Sequence, residues 1–121
     1  MNTDTSQIKP IVWIGSSHKD LSQFPRAVQK EAGYALWLAQ AGEKHDRTKP
    51  LKGFSGVMEI VSDYRTGTYR TVYAIKLGTR LYVLHAFQKK SKRGIATPKK
   101  EIDIIRTRLQ QTRQLAQEDG K

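Results

Sequence analysis

The stretch VMEIVSDYRTGTYRTVYAIKLGTRLYVLHAF, residues 57–87, decides the fold of this chain. Its apolar residues recur with a period close to two, and glycine-containing turns divide it into three runs, residues 57–64, 69–77 and 80–87. Short turns between such runs predict an antiparallel meander, with Gly78 and Thr79 forming a tight second hairpin. The third run is almost continuously apolar, which is typical of a central strand that is covered on both faces.

Outward from the meander, residues 9–15 form a short apolar run that predicts an N-terminal strand. A helix follows, beginning at Ser17 or Ser22 and ending near Ala41, because its apolar residues recur every three or four positions. Gly42 is suited to the position just after the end of this helix.

After the meander, Thr97 and Pro98 predict the N terminus of a last helix. The two tryptophans, Trp13 and Trp37, are assigned to the core. The element order β, α, β, β, β, α predicts an α+β fold, in which a small antiparallel sheet, the meander plus the N-terminal strand, packs against helices.

The chain has 121 residues, 22 Lys and Arg against 11 Asp and Glu, and a formal charge of +11. We expect a single domain over residues 9–117, with a disordered extension at 1–8 and a frayed tail at 118–121. Such an excess of positive charge favours a polyanionic partner, most simply RNA. With no cysteine and no long apolar segment, the sequence predicts a cytoplasmic protein without a membrane partner.

The basic residues concentrate in the loop 44–52, at Arg70 and in a run that follows residue 88. A hairpin brings the end of the third meander strand beside the start of the second, so we expect Arg70 and Lys89 to be neighbours. The predicted phosphate-binding set is Lys49, Lys52, Arg70, Lys89 and Lys90. Further RNA contacts are predicted at Tyr69, Phe87, Lys92 and Arg93, with the aromatic rings stacking on bases.

Two observations limit this site. Tyr69 and Arg70 are consecutive in a strand and therefore face opposite sides of the sheet. A salt bridge from Arg70 to Glu59 on the neighbouring strand is an equally good explanation for an arginine between apolar residues. The three histidines have no metal-binding spacing and no nucleotide-binding glycine loop occurs, so we predict neither a metal nor a cofactor.

Six segments together resemble the RelE/ParE toxin superfamily of bacterial and phage toxin–antitoxin systems, in its HigB-like phage-derived branch: DLSQFP, LAQAGEKHD, KPLKGFSGVMEI, YRTVYAI, LYVLHAFQKKS and TPKKEI. The resemblance implies a microbial-ribonuclease-like fold that cleaves mRNA on the ribosome and is neutralised by a helix-turn-helix antitoxin. It also implies that the catalytic positions fall on Lys49, Lys52, Arg70, Lys89 and Lys90. Some relatives have glutamate and histidine at the first and last of these places.

Metal-free RNA cleavage needs a proton acceptor for the 2′-hydroxyl, a proton donor, and neutralisation of charge on the phosphate. The planar fork of Arg70 suits transition-state stabilisation. Clustered cations favour the neutral amine of a lysine, which makes Lys49 or Lys52 a feasible base and Lys89 a feasible acid. Two other functions remain open: a topoisomerase-inhibiting toxin of the ParE type, and an RNA- or DNA-binding module without chemistry.

Overall fold

The computed structural model describes residues 8–89 and 97–119, which form five strands and three helices. Most of the predicted N-terminal extension, 1–8, lies outside these residues. The elements in chain order are β1 (Ile11–Trp13), α1 (Ser17–Ser22), α2 (Arg26–Gln40), β2 (Thr48–Pro50), β3 (Val57–Tyr64), β4 (Gly67–Ala74), β5 (Leu81–Lys89) and α3 (Lys99–Asp119).

The strands form one sheet in the order β1-β5-β4-β3-β2. The α+β class is confirmed, and the meander β3-β4-β5 is antiparallel as predicted. The sheet is nevertheless mixed, because β1 pairs with β5 in the parallel direction. The period-two pattern predicts which face a side chain takes but carries no information on strand direction. A short strand, β2, also lies within the predicted basic loop and pairs with β3.

The predicted tight hairpin at Gly78 and Thr79 is wrong, because β4 ends at Ala74 and six residues precede β5. The apolar residues that suggested a longer strand pack against the core instead, with Ile75 on one side of the sheet and Leu77 on the other. Packing against the core, and not strand pairing in the sheet, thus explains the apolar pattern of residues 75–77.

The described helices cover both faces of the sheet. On one face, the α2 residues Ala32 and Ala35 pack with Ile60 of β3 in one buried cluster. On the other, Ile105 and Leu109 of α3 pack against strand residues of a second cluster, which are Val57, Val72, Ala74, Tyr82, Leu84 and Phe87. The central strands are therefore buried on both sides, as the apolar third run predicts.

The predicted long helix is divided in two at Pro25, because a residue that precedes proline is disfavoured in helical conformation. Its C terminus agrees with the prediction: Gly42 has a φ of 84° and donates to the Ala39 carbonyl, while Glu43 donates to Leu38. This closes the helix in a Schellman motif. The assignment of Trp37 to the core is wrong, because its side of α2 is opposite the sheet and it is 49% exposed.

A polar network fixes α3 to the sheet. The Arg108 guanidinium donates to the Leu84 carbonyl at 2.9 Å and to the Ser16 hydroxyl at 3.1 Å, and lies 3.3 Å from Nδ1 of His85. Nε2 of His85 lies 3.4 Å from the Glu101 carboxylate. With Nδ1 facing a guanidinium, the ring is held in the neutral tautomer that donates from Nε2. Burial lowers the pKa of His85, and Glu101 opposes this shift.

We expect Ile105→Ala to lower the free energy of unfolding by about 2–5 kcal/mol, because this fully buried side chain joins α3 to the sheet. Urea denaturation followed by circular dichroism measures the loss. Leu115→Ala, in an exposed part of the same helix, is the control and should stay within about 0.5 kcal/mol of wild type. Equal losses in both variants would contradict the packing described for α3.

The stability of the protein should fall in acid through His85. Its folded pKa lies below the ordinary value of 6.5, so below about pH 6.5 the unfolded chain takes up a proton that the folded chain does not. The free energy of unfolding should therefore decrease as pH falls from neutrality toward the folded pKa. His85→Gln should flatten this dependence, whereas His18→Gln, at an exposed position, should keep it. Identical pH dependence in wild type and His85→Gln would refute the assignment.

Candidate functional site

The face of the sheet under α3 carries the charged residues. Strand register aligns them in three rows that cross the sheet: Lys49, Glu59, Val72 and His85; Val61, Arg70 and Phe87; and Asp63, Thr68 and Lys89. Because side chains alternate between faces along each strand, all members of these rows point to the same side. The rows therefore place on one face cations that are up to 40 residues apart in the sequence, with β3 and β4 lying between Lys49 on β2 and Lys89 on β5.

At the centre of this face, Glu59 forms ion pairs with two cations. Nη1 of Arg70 donates to the two carboxylate oxygens of Glu59, at 3.0 and 3.3 Å. Nζ of Lys49 lies 3.7 Å from Oε1 of the same carboxylate. The side chains of Glu59 and Arg70 are both 5% exposed, whereas that of Lys49 is 52% exposed. The salt bridge from Arg70 to Glu59, which the sequence offers as one of two explanations for Arg70, is therefore present. Together with Lys49, these two residues form a charged cluster.

The cluster opens into a cleft between β2 and the start of α3. Its volume is about 390 Å³, and the residues that line it are Lys49, Pro50, Leu51, Lys52, Glu59, Thr97 and Ile102. Lys49 and Lys52 thus border the same space, as the phosphate-binding prediction requires. The side chain of Glu59 links this cleft to Arg70, which lies behind it.

Lys89 lies at the end of β5, opposite Thr68, and is 7% exposed. Arg70 is opposite Phe87, so Arg70 and Lys89 are diagonal neighbours on one face, with a separation of roughly 7–8 Å expected for such positions. This confirms the predicted neighbourhood. The Arg70 guanidinium, however, extends toward Glu59 on β3, on the other side of β4 from Lys89.

The two aromatic residues that were predicted to stack on RNA lie on opposite faces. Tyr69 is 5% exposed and packs edge to face against Phe24, with ring centroids 4.9 Å apart. Its hydroxyl is hydrogen bonded to Thr66. This position in the core on the α2 side separates Tyr69 from Arg70. Phe87 is on the same face as Arg70, but it is buried and stacked on His85 at 5.1 Å.

Three predicted contacts, Lys90, Lys92 and Arg93, lie outside the described residues. Sequence reasoning considered Glu59 only as an alternative partner of Arg70 and gave it no place in the site. The signal was present: a glutamate inside an otherwise apolar strand, with the correct parity to face an arginine on the next strand. A buried carboxylate of this kind needs a cation beside it.

Residues 8–89 and 97–119 are the part of the chain that the structure describes. Within them, no three or more side chains of His, Asp, Glu or Cys converge in a way that could hold a metal ion. No helix in the same ranges has the length and apolar character needed to cross a membrane.

Comparison with known proteins identifies a family. Residues 19–110 match the family described as Phage derived protein Gp49-like (DUF891). No curated protein was found to match the chain. The family match begins within α1 and ends within α3, so it includes the whole charged cluster and both lysines of the cleft. Because it covers well over half of the 121 residues, the chain belongs to the Gp49-like phage-derived family, a family of RelE/HigB-like toxins.

Proposed function

We propose that the chain is the toxin of a type II toxin–antitoxin system and that it inhibits translation by cleaving mRNA on the ribosome without a metal ion. The observation that carries this proposal is the cleft that Lys49, Lys52 and Glu59 line together, with the buried Glu59 carboxylate paired to Arg70. Membership of a toxin family supports it and implies a cognate antitoxin as partner. The expected antitoxin is a helix-turn-helix protein.

Cleavage would proceed by attack of the RNA 2′-oxygen on the adjacent phosphorus. The bond from phosphorus to the 5′-oxygen breaks, which leaves a 2′,3′-cyclic phosphate and a 5′-hydroxyl. The protein must accept the proton of the 2′-hydroxyl, neutralise charge on the phosphate oxygens and protonate the leaving 5′-oxygen. All three tasks can be assigned to side chains that border the cleft or lie on the α3 face of the sheet.

We assign neutralisation of the phosphate to Lys49, because its Nζ lies at the cleft, 3.7 Å from the Glu59 carboxylate that orients it. That assignment leaves Lys52, at the border of the same cleft, as the proton acceptor. Lys89 is the proposed proton donor, and Lys90 beside it would add positive charge. Lysines are weak general bases near neutral pH, so a ribosome that holds mRNA in a reactive geometry would supply the missing orientation.

Arg70 is proposed to stabilise the transition state from behind Glu59. The two hydrogen bonds from its guanidinium fix the Glu59 carboxylate, and that carboxylate in turn holds the Lys49 amine at the cleft. The net charge of these three side chains is positive. A cation held in a region of low dielectric contributes more to a phosphate site than the same charge in water.

Removal of either cleft lysine should abolish most cleavage without unfolding the protein. We expect Lys49→Met and Lys52→Met each to reduce mRNA cleavage by about 100-fold or more, the usual effect of losing one group that stabilises transition-state charge. The assay is primer extension on mRNA translated with purified ribosomes. Lys76→Met removes an equal charge from an exposed position in the β4-β5 connection and should cleave like wild type. Intact mRNA with wild-type protein would refute the nuclease proposal.

The Glu59–Arg70 pair can be tested separately for folding and for activity. Arg70→Ala should destabilise the fold by about 3–5 kcal/mol, because it leaves a buried carboxylate without its main partner. Replacement of both residues, as Glu59→Met with Arg70→Met, should restore most of that stability and leave mRNA uncleaved. Cleavage at the wild-type rate by the folded double variant would contradict any role of the pair in catalysis.

A gyrase assay with the same purified protein tests the alternative function, that of a topoisomerase-inhibiting toxin. Inhibition of DNA supercoiling by purified gyrase, together with uncleaved mRNA, would support a ParE-type function and refute our proposal. Inhibition of translation without any mRNA cleavage would indicate a binding module.

A further inference from the structure

An arginine and a phenylalanine form a stacked pair beside the cleft, and the proposed function does not use them. Cζ of Arg106 lies over the ring of Phe54, 5.1 Å from its centroid. Arg106 is in α3, four residues after Ile102, and Phe54 follows Lys52 by two residues in the loop between β2 and β3. Both Ile102 and Lys52 line the cleft. We call Phe54 and Arg106 the stacking pair.

The ring of Phe54 is a fixed support for the guanidinium. It is partly buried and packs against the core cluster on the α3 face of the sheet. The Phe54 amide donates to the Leu51 carbonyl at 3.2 Å, and Gly53 between them has a φ of 88°, as the third residue of a type II turn requires. The same turn contains Lys52, so it holds this lysine of the cleft next to the stacking pair.

The guanidinium of Arg106 is available to a ligand. In the parts of the chain that the structure describes, no carboxylate forms an ion pair with it. Arg106 is exposed, so the side of its guanidinium that is turned away from Phe54 faces solvent. The pair therefore presents a planar cation whose position is restricted before anything binds, and this lowers the entropy lost on binding.

A planar guanidinium next to a phosphate site suits one kind of ligand group, an unpaired nucleobase. Proteins bind unpaired RNA bases by stacking them on aromatic rings or on arginine planes. The aromatic residues that the sequence predicts for this task, Tyr69 and Phe87, are both buried. Arg106 lies one helical turn from Ile102, about 6 Å along α3. A sugar and its base can span that distance from a phosphate held in the cleft.

We propose that Arg106, supported by Phe54, is a stacking site for the base of a nucleotide that flanks the phosphate in the cleft. The inference rests on the proposed function, because it takes RNA as the ligand of the cleft. Stacking tolerates every base, so the site adds affinity and position without reading the sequence by hydrogen bonds.

The first test is an NMR titration of the full chain with a deoxydinucleotide of two adenines. This probe has no 2′-hydroxyl, so it cannot be cleaved, and it has a single phosphodiester to place in the cleft. We expect the ring current of a stacked adenine to move the Nε proton of Arg106 upfield. The Nε proton of Arg113, an exposed arginine about two turns further along α3, should not move.

The second test measures how much the base contributes to affinity. The probes are the same dinucleotide without its first base, without its second base and without both. Loss of one of the two bases should weaken binding by about fivefold or more, the lower end of what stacking of one base contributes. Arg106→Lys keeps the charge but removes the plane and should abolish this difference, and Phe54→Leu should reduce it. Arg113→Lys, the same change elsewhere on the helix, should preserve it.

An Arg106 Nε proton that the dinucleotide does not move would overturn the inference, as would an undiminished base dependence in Arg106→Lys. Signals of Lys49 and Lys52 report separately on phosphate in the cleft. If they move and Arg106 does not, the stacking site fails and the proposed function stands. If Arg106 moves and both lysines do not, the stacking site is supported and the phosphate cleft of the proposed function is refuted.

Discussion

A sheet that is covered by helices on both faces can hold a charge in its central strands only where an opposite charge lies beside it. Glu59 and Arg70 satisfy this constraint with two hydrogen bonds between adjacent strands. Neither residue could be buried alone at this depth. The pair holds a carboxylate and a guanidinium in a fixed geometry next to a cleft, and Lys49 reaches the same carboxylate from the exposed side.

The position of α3 determines which part of the charged face stays accessible. Ile105 and Leu109 cover the apolar rows near Val72 and Leu84, so the helix occupies that part of the sheet. The network of His85, Glu101 and Arg108 then fixes the helix in place through polar contacts. The cleft remains between the start of α3 and β2. A single helix thus completes the core on this face and forms one wall of the candidate site.

The alternation of side chains between the two faces of a strand explains much of what could be predicted about the site. Consecutive residues of a strand face opposite sides, so Tyr69 and Arg70 could not serve one surface, and the structure places Tyr69 against Phe24. Glu59 was not predicted as a site residue, because a glutamate inside a strand is explained equally well as a salt-bridge partner of Arg70. Trp37 was misplaced because large aromatic residues are usually buried, whereas its position on α2 is opposite the helix side that contacts the sheet.

The sequence by itself determined the local features: the antiparallel meander, the C terminus of α2 at Gly42, the excess of positive charge and the alternation of side chains that puts Arg70 and Lys89 on one face. These follow from periodicity and turn chemistry, which act between near neighbours in the chain. Only the tertiary structure decided the parallel pairing of β1, the ion pairs of Glu59 and the cleft between β2 and α3. Those features depend on contacts between distant segments, and such contacts are selected by the packing of the whole core.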